Sequence, residues 1–375
     1  MQHWDIFCRV VDHYGDIGVC WRLARQLAEE YGAAVRLWVD CLESFSRLCP
    51  SLLIDVDEQR VGSVEVRRWS EDFPSVEVAD VAVEAFACEL PASYVAAMSR
   101  RTVAPVWINL EYLSAEDWVE DCHLLASPRS DSKLTKFFFF PGFTSRTGGL
   151  LRERDLLAHR AAFDSMAEDE FWQSLDMPPR TNDEIRVSLF CYENAMLPEL
   201  LQRWSNGPEH VRLLVTPGAA AEQVTRWFGG AFPDAKPLVA GFLQAHALPF
   251  VSHAEFDRLL WACDVNFVRG EDSFVRAQWA QRPFVWQIYP QVERTHLVKL
   301  EAFLTRYLKE FPNSDIVSRC WRAWNGVGSM AAAWPDLVAN RRSLEQHGKV
   351  WASQLDQAGN LANNLVGFVR GKQGP

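Results

Sequence analysis

The first loop of the chain carries two carboxylates in a glycine-containing turn. Residues 12–18 read DHYGDIG, with Asp12 and Asp16 just before a helix pattern. A dinucleotide-binding loop needs G-x-G-x-x-G so that a pyrophosphate can reach the helix N-terminus, and only Gly15 and Gly18 are present here. Negative charge at this position also opposes an anion. Two interpretations stay open: Asp16 caps the helix, or both carboxylates act on a cationic or protic acceptor.

A second candidate loop lies in the later half of the chain, where residues 264–273 read DVNFVRGEDS. The apolar run ends at a turn, and Asp272 or Ser273 is predicted as the N-cap of the next helix. The amides of a first helical turn can hold a phosphate, and Arg269 can add a charge-assisted hydrogen bond. Glu271 is then expected to face sugar hydroxyls or the reaction centre. The alternative is an ordinary capped helix with a solvated charge cluster.

Aromatic side chains stand near the ends of neighbouring predicted strands. At the carboxyl edge of one sheet such rings could sandwich a nucleotide base, although each alone is as typical of a core residue. Together with the predicted anion-binding helix they indicate a nucleotide-sugar pocket. The residues are Phe190, Tyr192, Phe250, Phe256 and Tyr289.

These residues require a scaffold of alternating strands and helices. The pattern predicts strands at 5–11, 34–39, 79–86 and 103–110, with a helix over 20–31. After a break the alternation restarts, with strands at 185–192, 211–216, 248–251, 264–268 and 283–288. Helices are predicted over 197–204, 219–228, 254–262 and 273–280. Strand–helix repetition favours parallel sheets, which bind ligands at the carboxyl ends of their strands.

The segments between and after these two halves do not continue the strand–helix alternation. A polar helix is predicted over 150–175, with a break at Pro178 and Pro179, and the end of the chain is predicted as a helix over 344–369. The four phenylalanines 137–140 predict a strand buried on both faces or packing under an interdomain hinge, with acceptor contact as the alternative. The fold class expected is α/β, with two Rossmann-like domains facing across a cleft.

Composition limits the class of protein. The chain has 375 residues, 48% hydrophobic and 23% charged, typical of a globular protein of about two domains of roughly 100–200 residues each. No apolar run reaches the roughly 20 residues that span a bilayer, and no signal peptide is indicated, so a cytoplasmic location is expected. Nine cysteines without a CxxC pair fit free thiols in a reducing compartment. A net charge of −11 argues against nucleic-acid binding.

Three long motifs carry a family resemblance. They are CRVVDHYGDIGVCWRLARQLA (8–28), FFFPGFTSRTGGLLRE (138–153) and LLWACDVNFVRGEDSFVRAQWAQRPFVWQIYPQ (259–291). In this order, across nearly the whole chain, they resemble the protein-arginine rhamnosyltransferases that modify elongation factor P. The resemblance implies a GT-B glycosyltransferase that moves L-rhamnose from dTDP-β-L-rhamnose to an arginine with inversion. No cofactor or metal is implied.

The resemblance also implies residue roles and domain bounds. Asp12, Asp16 and Glu271 match the family's carboxylates, with Asp16 expected as general base; His13 stands where relatives often carry Asn. The N-terminal acceptor domain is expected over 1–155, with a helix at about 350–375 packing back on it, followed by a linker over 156–182 and a donor domain over 183–349. The donor contacts implied are Phe190, Tyr192, Phe250, Phe256, Arg269, Asp272, Ser273, Gln287 and Tyr289.

Three rival functions remain at this level. A GT-B enzyme with another nucleotide sugar, or a sugar-nucleotide epimerase, would share the nucleotide pocket. A catalytically inactive partner of the translation machinery would keep the fold, although three acidic positions retained in two distant loops argue against it. A dehydrogenase is disfavoured because neither half contains G-x-G-x-x-G.

Overall fold

The chain divides into two units, each built around its own sheet. The computed structural model describes residues 1–12, 14–181, 183–233, 236–290 and 295–373. The first unit comprises residues 1–154 together with 354–375, and the second comprises residues 155–353. The end of the chain therefore belongs to the same unit as its beginning.

In the first unit the described residues form an eight-stranded, mostly parallel sheet in the order β3-β4-β2-β1-β5-β6-β8-β7. Its strands are β1 (His3–Cys8), β2 (Ala34–Val39), β3 (Glu58–Val61), β4 (Val64–Arg68), β5 (Val81–Ala85), β6 (Val106–Leu110), β7 (Ala126–Pro128) and β8 (Thr135–Phe139). Its helices are α1 (Gly15–Tyr31), α2 (Leu42–Leu48), α3 (Ala92–Arg100), α4 (Val119–Cys122) and, from the end of the chain, α15 (Leu361–Gln373).

Both faces of this sheet are covered, because β1, β5 and β6 are mostly apolar and are buried at nearly every position. One face packs with α1 and α15 in a core that includes Ile6, Leu23 and Leu365. The other face packs with α3 around Phe7 and Tyr94. Burial on both sides is typical of parallel strands, and it leaves the loops at the strand ends as the accessible parts of the layer.

The chain reverses direction across this sheet between β1 and β5. From β1 it passes through α1 to β2 on one side, and it later returns to β5 on the other side of β1. The loops that follow β1 and β5 therefore diverge at the carboxyl edge of the sheet. Ligands of open α/β sheets bind at such a switch point.

The second unit has a six-stranded sheet, again counted over its described residues, in the order β11-β12-β10-β9-β13-β14. Its strands are β9 (Glu184–Leu189), β10 (His210–Val215), β11 (Leu238–Ala240), β12 (Leu243–Ala247), β13 (Val265–Arg269) and β14 (Phe284–Gln287). Its helices are α5 (Leu156–Ala162), α6 (Ser165–Ser174), α7 (Leu197–Asn206), α8 (Ala219–Phe228), α9 (His253–Ala262), α10 (Asp272–Ala280), α11 (Thr295–Tyr307), α12 (Ser314–Trp324), α13 (Met330–Ala339) and α14 (Arg341–Ala358), the last of which ends in the first unit.

The switch point of the second sheet lies between β9 and β13. The helices that precede and follow β13 in the chain are joined by a buried ion pair. Arg276 of α10 donates from Nε and Nη2 to both carboxylate oxygens of Asp257 on α9, at 2.7 and 2.6 Å. Both side chains are buried, so the pair fixes how α9 and α10 pack at this edge of the sheet.

Several predicted elements differ from the structure. The helix predicted over 150–175 is wrong as a single element. Helix α5 ends at Ala162, and Asp164 caps a new helix, α6, by accepting hydrogen bonds from the amides of Met166 and Ala167, both at 3.0 Å. The terminal helix is interrupted at Gly359, whose φ of 107° is incompatible with a helix. No strand forms over 248–251; β12 ends at Ala247 instead.

The strand predicted for the phenylalanine run is confirmed, because residues 137–139 lie in β8. The predicted burial on both faces is wrong, because Phe137 and Phe138 are only half-buried. On one face Phe137 packs against Phe368 of α15, with ring centroids 5.2 Å apart. β8 is flanked by the short edge strand β7, so burial on both faces is not achieved.

The predicted fold class is confirmed: α/β, with the two Rossmann-like units that make up a GT-B architecture. The nine cysteines, all within described segments, are free thiols. Within the described part of the chain no helix is both long and apolar enough to cross a bilayer.

We predict that Arg276→Leu strongly destabilises the second unit. The substitution removes the charged partner that bonds both oxygens of the buried Asp257 carboxylate, and breaking a buried pair in this way costs about 3–5 kcal/mol. Arg319→Leu is the matched control, because its pair with Asp336 on the surface is worth about 0–1 kcal/mol. Urea denaturation of both variants measures the difference. Equal losses in the two variants would contradict the assigned role of the buried pair.

Candidate active site

Asp16 is a buried carboxylate at the switch point of the first sheet. Its side chain is 2% exposed, in the first turn of α1. Oδ2 accepts hydrogen bonds from the backbone amides of Val11 and Asp12 at 2.8 and 2.9 Å, and Oδ1 accepts one from the hydroxyl of Tyr112 at 3.1 Å. Burial raises the pKa of Asp16, and these hydrogen bonds oppose that rise. The result is a carboxylate that is fixed in orientation and made more basic than usual.

The capping interpretation of Asp16 is wrong. Helix α1 begins at Gly15 with Tyr14 as N-cap, and no side chain makes a capping hydrogen bond there. Asp16 instead bonds the amides of the preceding loop, because the helix starts earlier than the predicted residue 20. Its position in the first turn places the carboxylate at the positive end of the helix dipole.

Asp12 lies over the start of the same helix. A Cβ at position 15 would come within 2.6 Å of Asp12 Oδ2, so Gly15 makes room for this carboxylate. Asp12 is half-buried and its charge contributes to the raised pKa of Asp16. The structure thus brings the two predicted carboxylates together in one loop. His13, between them, lies outside the described residues.

Two aromatic residues beside Asp16 were missed by the sequence analysis. Tyr112, which bonds Asp16, follows β6, and its ring stacks on Phe86, with centroids 4.4 Å apart and an interplanar angle of 15°. Phe86 follows β5 with a positive φ of 57°. The position of Tyr112 just after a predicted strand was a usable signal, since chemistry was expected in such loops. Nothing in the sequence marks a phenylalanine for a left-handed backbone.

In the second unit, Arg269 lies against two of the predicted aromatic residues. Its guanidinium carbon is 4.6 Å from the ring centroid of Phe190 and 4.3 Å from that of Tyr192. Strand β9 ends at Leu189, so both rings lie in the loop after the strand and not at its end as predicted. The switch point between β9 and β13 therefore carries a cation held on aromatic faces.

The remaining predicted aromatic residues extend this cluster in part. Phe256 of α9 packs edge-on against Phe190 at 5.8 Å, and Tyr289 packs edge-on against Tyr192 at 5.4 Å. Tyr289 and Phe250 are exposed, and Phe250 lies in the loop between β12 and α9. These rings supply flat apolar surfaces at one edge of the sheet, the kind of surface on which a base stacks.

The turn from β13 into α10 is held by its own side chains. The Ser273 hydroxyl accepts a hydrogen bond from the amide of Arg269 at 3.0 Å and donates to the carbonyl of the same residue. The indole of Trp286 donates to the carbonyl of Gly270 at 2.7 Å. These bonds fix the backbone on both sides of the turn that presents Glu271.

The prediction that Asp272 or Ser273 is the N-cap is wrong. The N-cap is Glu271, which makes no capping side-chain bond, and Asp272 and Ser273 are the first two residues of α10. The helix begins earlier than predicted because the Ser273 hydroxyl bonds the backbone of Arg269 and does not cap the helix. Glu271 and Asp272 are both half-buried at this helix start, where the dipole favours negative charge.

Gln287 reaches this cluster through the backbone of a loop. Its side-chain oxygen accepts a hydrogen bond from the amide of Tyr192 at 2.9 Å, and its nitrogen donates to the carbonyl of Glu193 at 3.3 Å. Gln223 of α8 donates to the carbonyl of Tyr192 at 3.0 Å. The two glutamines fix the loop that carries Tyr192, so the aromatic cluster is preorganised.

The two switch points present different groups. The first presents Asp12 and Asp16, which suit a cation with donors such as a guanidinium. The second presents Arg269 and a helix N-terminus beside aromatic rings, which suit an anion attached to an aromatic base, and the carboxylates Glu271 and Asp272 follow Arg269 at the same turn. Among the residues that the structure describes, no three His, Cys, Asp or Glu side chains gather as a metal site would require.

Comparison with known proteins gives one consistent family. The family model for the elongation factor P (EF-P) rhamnosyltransferase EarP matches residues 4–370. Protein-arginine rhamnosyltransferases from Pseudomonas putida and Pseudomonas aeruginosa are 48% and 46% identical to this chain. Each alignment covers 98% of this chain, with 98% of the first relative and 99% of the second.

A solved structure agrees with these relatives. It was described for EarP-mediated arginine glycosylation of translation elongation factor EF-P, and it is 34% identical to this chain with a TM-score of 0.70. The match covers 99% of both chains. The chain therefore belongs to the EarP family of elongation factor P rhamnosyltransferases.

Proposed function

We propose that this chain is an inverting glycosyltransferase that moves L-rhamnose from dTDP-β-L-rhamnose to an arginine side chain of elongation factor P and thereby activates the factor. The observation that carries the proposal is Asp16, a buried carboxylate with one oxygen saturated by two amides and the other directed by a single hydroxyl. Family membership and the names of the relatives support the sugar and the acceptor. The donor itself and the inversion remain parts of the proposal.

Asp16 would serve as general base. A guanidinium is fully protonated at neutral pH because its pKa exceeds ~12, so it must lose a proton as its nitrogen attacks the sugar. In the proposed step the bond from sugar C1 to the diphosphate oxygen breaks and a bond from C1 to the arginine nitrogen forms. The proton passes to Asp16, whose buried position favours accepting it. Attack from the face opposite the leaving group gives the α-linked product.

Asp12 and Glu271 would assist with charge. Asp12 would orient the planar guanidinium beside Asp16, since carboxylates bind its fork bidentately. Glu271, fixed beside Gly270 by the turn before α10, would support the acceptor or the positive charge that develops on the sugar. Both roles are supported by turns fixed by hydrogen bonds: the amide of Asp12 bonds Asp16, and the carbonyl of Gly270, next to Glu271, bonds Trp286.

The second unit would hold dTDP without a metal. The rings of Phe190, Tyr192, Phe250, Phe256 and Tyr289 offer faces for the thymine base and the sugars. Arg269, Asp272, Ser273 and the α10 N-terminus would surround the diphosphate, with the cation and the helix dipole stabilising the charge of the leaving group. Gln287 would act by holding the Tyr192 loop. A cytoplasmic location, which the nine free thiols support, completes the proposal.

The proposal predicts a specific mass change. Purified elongation factor P incubated with this protein and dTDP-β-L-rhamnose should gain one deoxyhexose, read by intact-mass spectrometry. The gain should disappear when the acceptor arginine is replaced by lysine, which lacks the planar fork that the carboxylates would hold. No gain on a folded acceptor would refute the assigned substrates, and a panel of other nucleotide sugars would then be tested.

Asp16→Asn should abolish transfer and keep donor binding. An amide cannot take the proton, and loss of a general base lowers kcat by about 10²–10⁴-fold. Asp40→Asn is the matched control at the end of β2, because its side chain only accepts the amide of Val10 and an asparagine oxygen can still do so. Single-turnover rates and dTDP titrations measure the two effects. An active Asp16→Asn enzyme would refute the base assignment.

Ser273→Ala should weaken donor affinity more than it harms the fold. Loss of the hydroxyl releases the amide and the carbonyl of Arg269, so the turn at the diphosphate site loosens, and the affinity for dTDP should fall by about 3–10-fold. Ser174→Ala in α6, which loses only a bond to the carbonyl of Phe171, is the control. Isothermal titration calorimetry with dTDP measures both. Unchanged affinity in a folded Ser273→Ala variant would remove Ser273 from the site.

A further inference from the structure

Tyr112 is joined to Asp16 across 96 residues of sequence. It lies two residues after β6, and its hydroxyl donates to Asp16 Oδ1 at 3.1 Å. Among the residues that the structure describes, it is the one side chain that bonds Asp16. The other two donors are backbone amides of the loop after β1, and both bond Oδ2.

The two oxygens of Asp16 therefore differ in what they can still accept. A carboxylate oxygen has two lone pairs, and both of those on Oδ2 are used by the amides of Val11 and Asp12. Oδ1 keeps one lone pair beside the bond from Tyr112. Oδ1 is thus the oxygen that can take a proton, and the Tyr112 hydroxyl determines where its remaining lone pair points.

The ring of Tyr112 is held in place by an unusual turn. It stacks on Phe86, which begins a turn in which Phe86, Ala87 and Glu89 have φ angles of 57°, 54° and 55°. Such left-handed backbone is costly for residues other than glycine and persists only where its surroundings enforce it. The amide of Phe86 bonds the carbonyl of Leu110 at 2.7 Å, which ties the turn to the strand that leads to Tyr112.

Tyr112 itself remains accessible, with 38% of its surface exposed. A tyrosine that served only the core would be buried, as Tyr94 is on the other face of the same sheet. The costly turn after β5 and the stacked Phe86 ring instead support a partly exposed tyrosine whose hydroxyl bonds a buried carboxylate. Local backbone strain of this kind gathers at functional sites.

We propose that Tyr112 is a positioning residue: its hydroxyl, held by the Phe86 ring, fixes Oδ1 of Asp16 in the orientation in which that oxygen takes the proton from the acceptor arginine. The inference rests on the proposed function, in which Asp16 is the general base. It adds a residue that does not touch the reacting atoms and acts through Asp16.

The contact also sets the charge state of Asp16. Within the described residues, the titratable groups that interact with Asp16 are Tyr112, Asp12 and, through its charge, the buried thiol of Cys8. Burial raises the pKa of Asp16, the charge of Asp12 raises it further, and the hydrogen bond from Tyr112 lowers it. A base works when ionised, so activity falls as the pH drops through this pKa. Removing the hydroxyl raises the pKa and moves that fall to higher pH.

The test is the pH dependence of kcat for Tyr112→Phe, measured with elongation factor P and dTDP-β-L-rhamnose beside the wild-type protein. We expect kcat at neutral pH to fall about 10–100-fold with the KM for the donor unchanged. The acidic limb of the profile should move up by about one pH unit. Phe86→Leu keeps the Tyr112 hydroxyl but removes the ring that stacks on Tyr112, so the acidic limb of the profile should move in the same direction by a smaller amount.

Tyr94→Phe is the matched control. Tyr94 also donates its hydroxyl to a buried carboxylate of the first unit, Asp5, so its loss should lower the melting temperature without moving the acidic limb. A wild-type profile for folded Tyr112→Phe overturns the inference and leaves the proposed function intact. If Tyr112→Phe does not fold, an unshifted Phe86→Leu profile overturns it. Wild-type protein that transfers no rhamnose would instead refute the proposed function, and the inference would fall with it.

Discussion

The burial of the Asp16 carboxylate constrains the structure of the first unit. A buried charge is costly unless hydrogen bonds replace its hydration, and Asp16 obtains three of them from two loops. Two come from its own loop, which is why α1 must begin at Gly15 and the turn must fold back over it. The third comes from Tyr112 after β6, which requires β1 and β6 to end at the same edge with β5 between them. Sheet order, helix start and the strained turn at Phe86 all meet this requirement.

In the second unit the corresponding charged group is a cation, Arg269. Arg269 ends β13, and its guanidinium lies on Phe190 and Tyr192 in the loop after the adjacent strand β9. Aromatic faces favour a nearby cation without neutralising its charge. Ser273, Gln287 and Gln223 hold the backbone around it. The rigidity of this site therefore comes from side chains that bond backbone groups, and the aromatic rings supply the surface.

The sequence predicted these sites through the strands that end beside them. The strand predicted over 34–39 and the helix predicted over 219–228 match β2 and α8 in full. Apolar residues at regular spacing identify the type of each element, and the glycine after residue 228 ends the helix. The predicted boundaries of helices are wrong where a single side chain determines them. Asp164 starts a new helix inside the predicted one, and the hydrogen bond between Ser273 and Arg269 accompanies an earlier start of α10. Short antiparallel edge pairs, β3 with β4 and β11 with β12, carry too few residues for a pattern. The Tyr112–Asp16 bond joins positions 96 residues apart, so no local pattern could reveal it.

The two units share a topology and differ in charge at the same place. In each, the carboxyl ends of two adjacent parallel strands, β1 with β5 and β9 with β13, form the switch point. The fold alone sets the place, and the residues after the strands set the chemistry: carboxylates in one unit, a guanidinium and a helix N-terminus in the other. A reaction between a cationic acceptor and an anionic donor needs groups of both signs. The first sheet supplies carboxylates after β1, whereas the turn after β13 supplies a guanidinium and a helix N-terminus together with Glu271 and Asp272. The few residues that follow each strand, and not the fold, therefore decide which substrate each unit can bind.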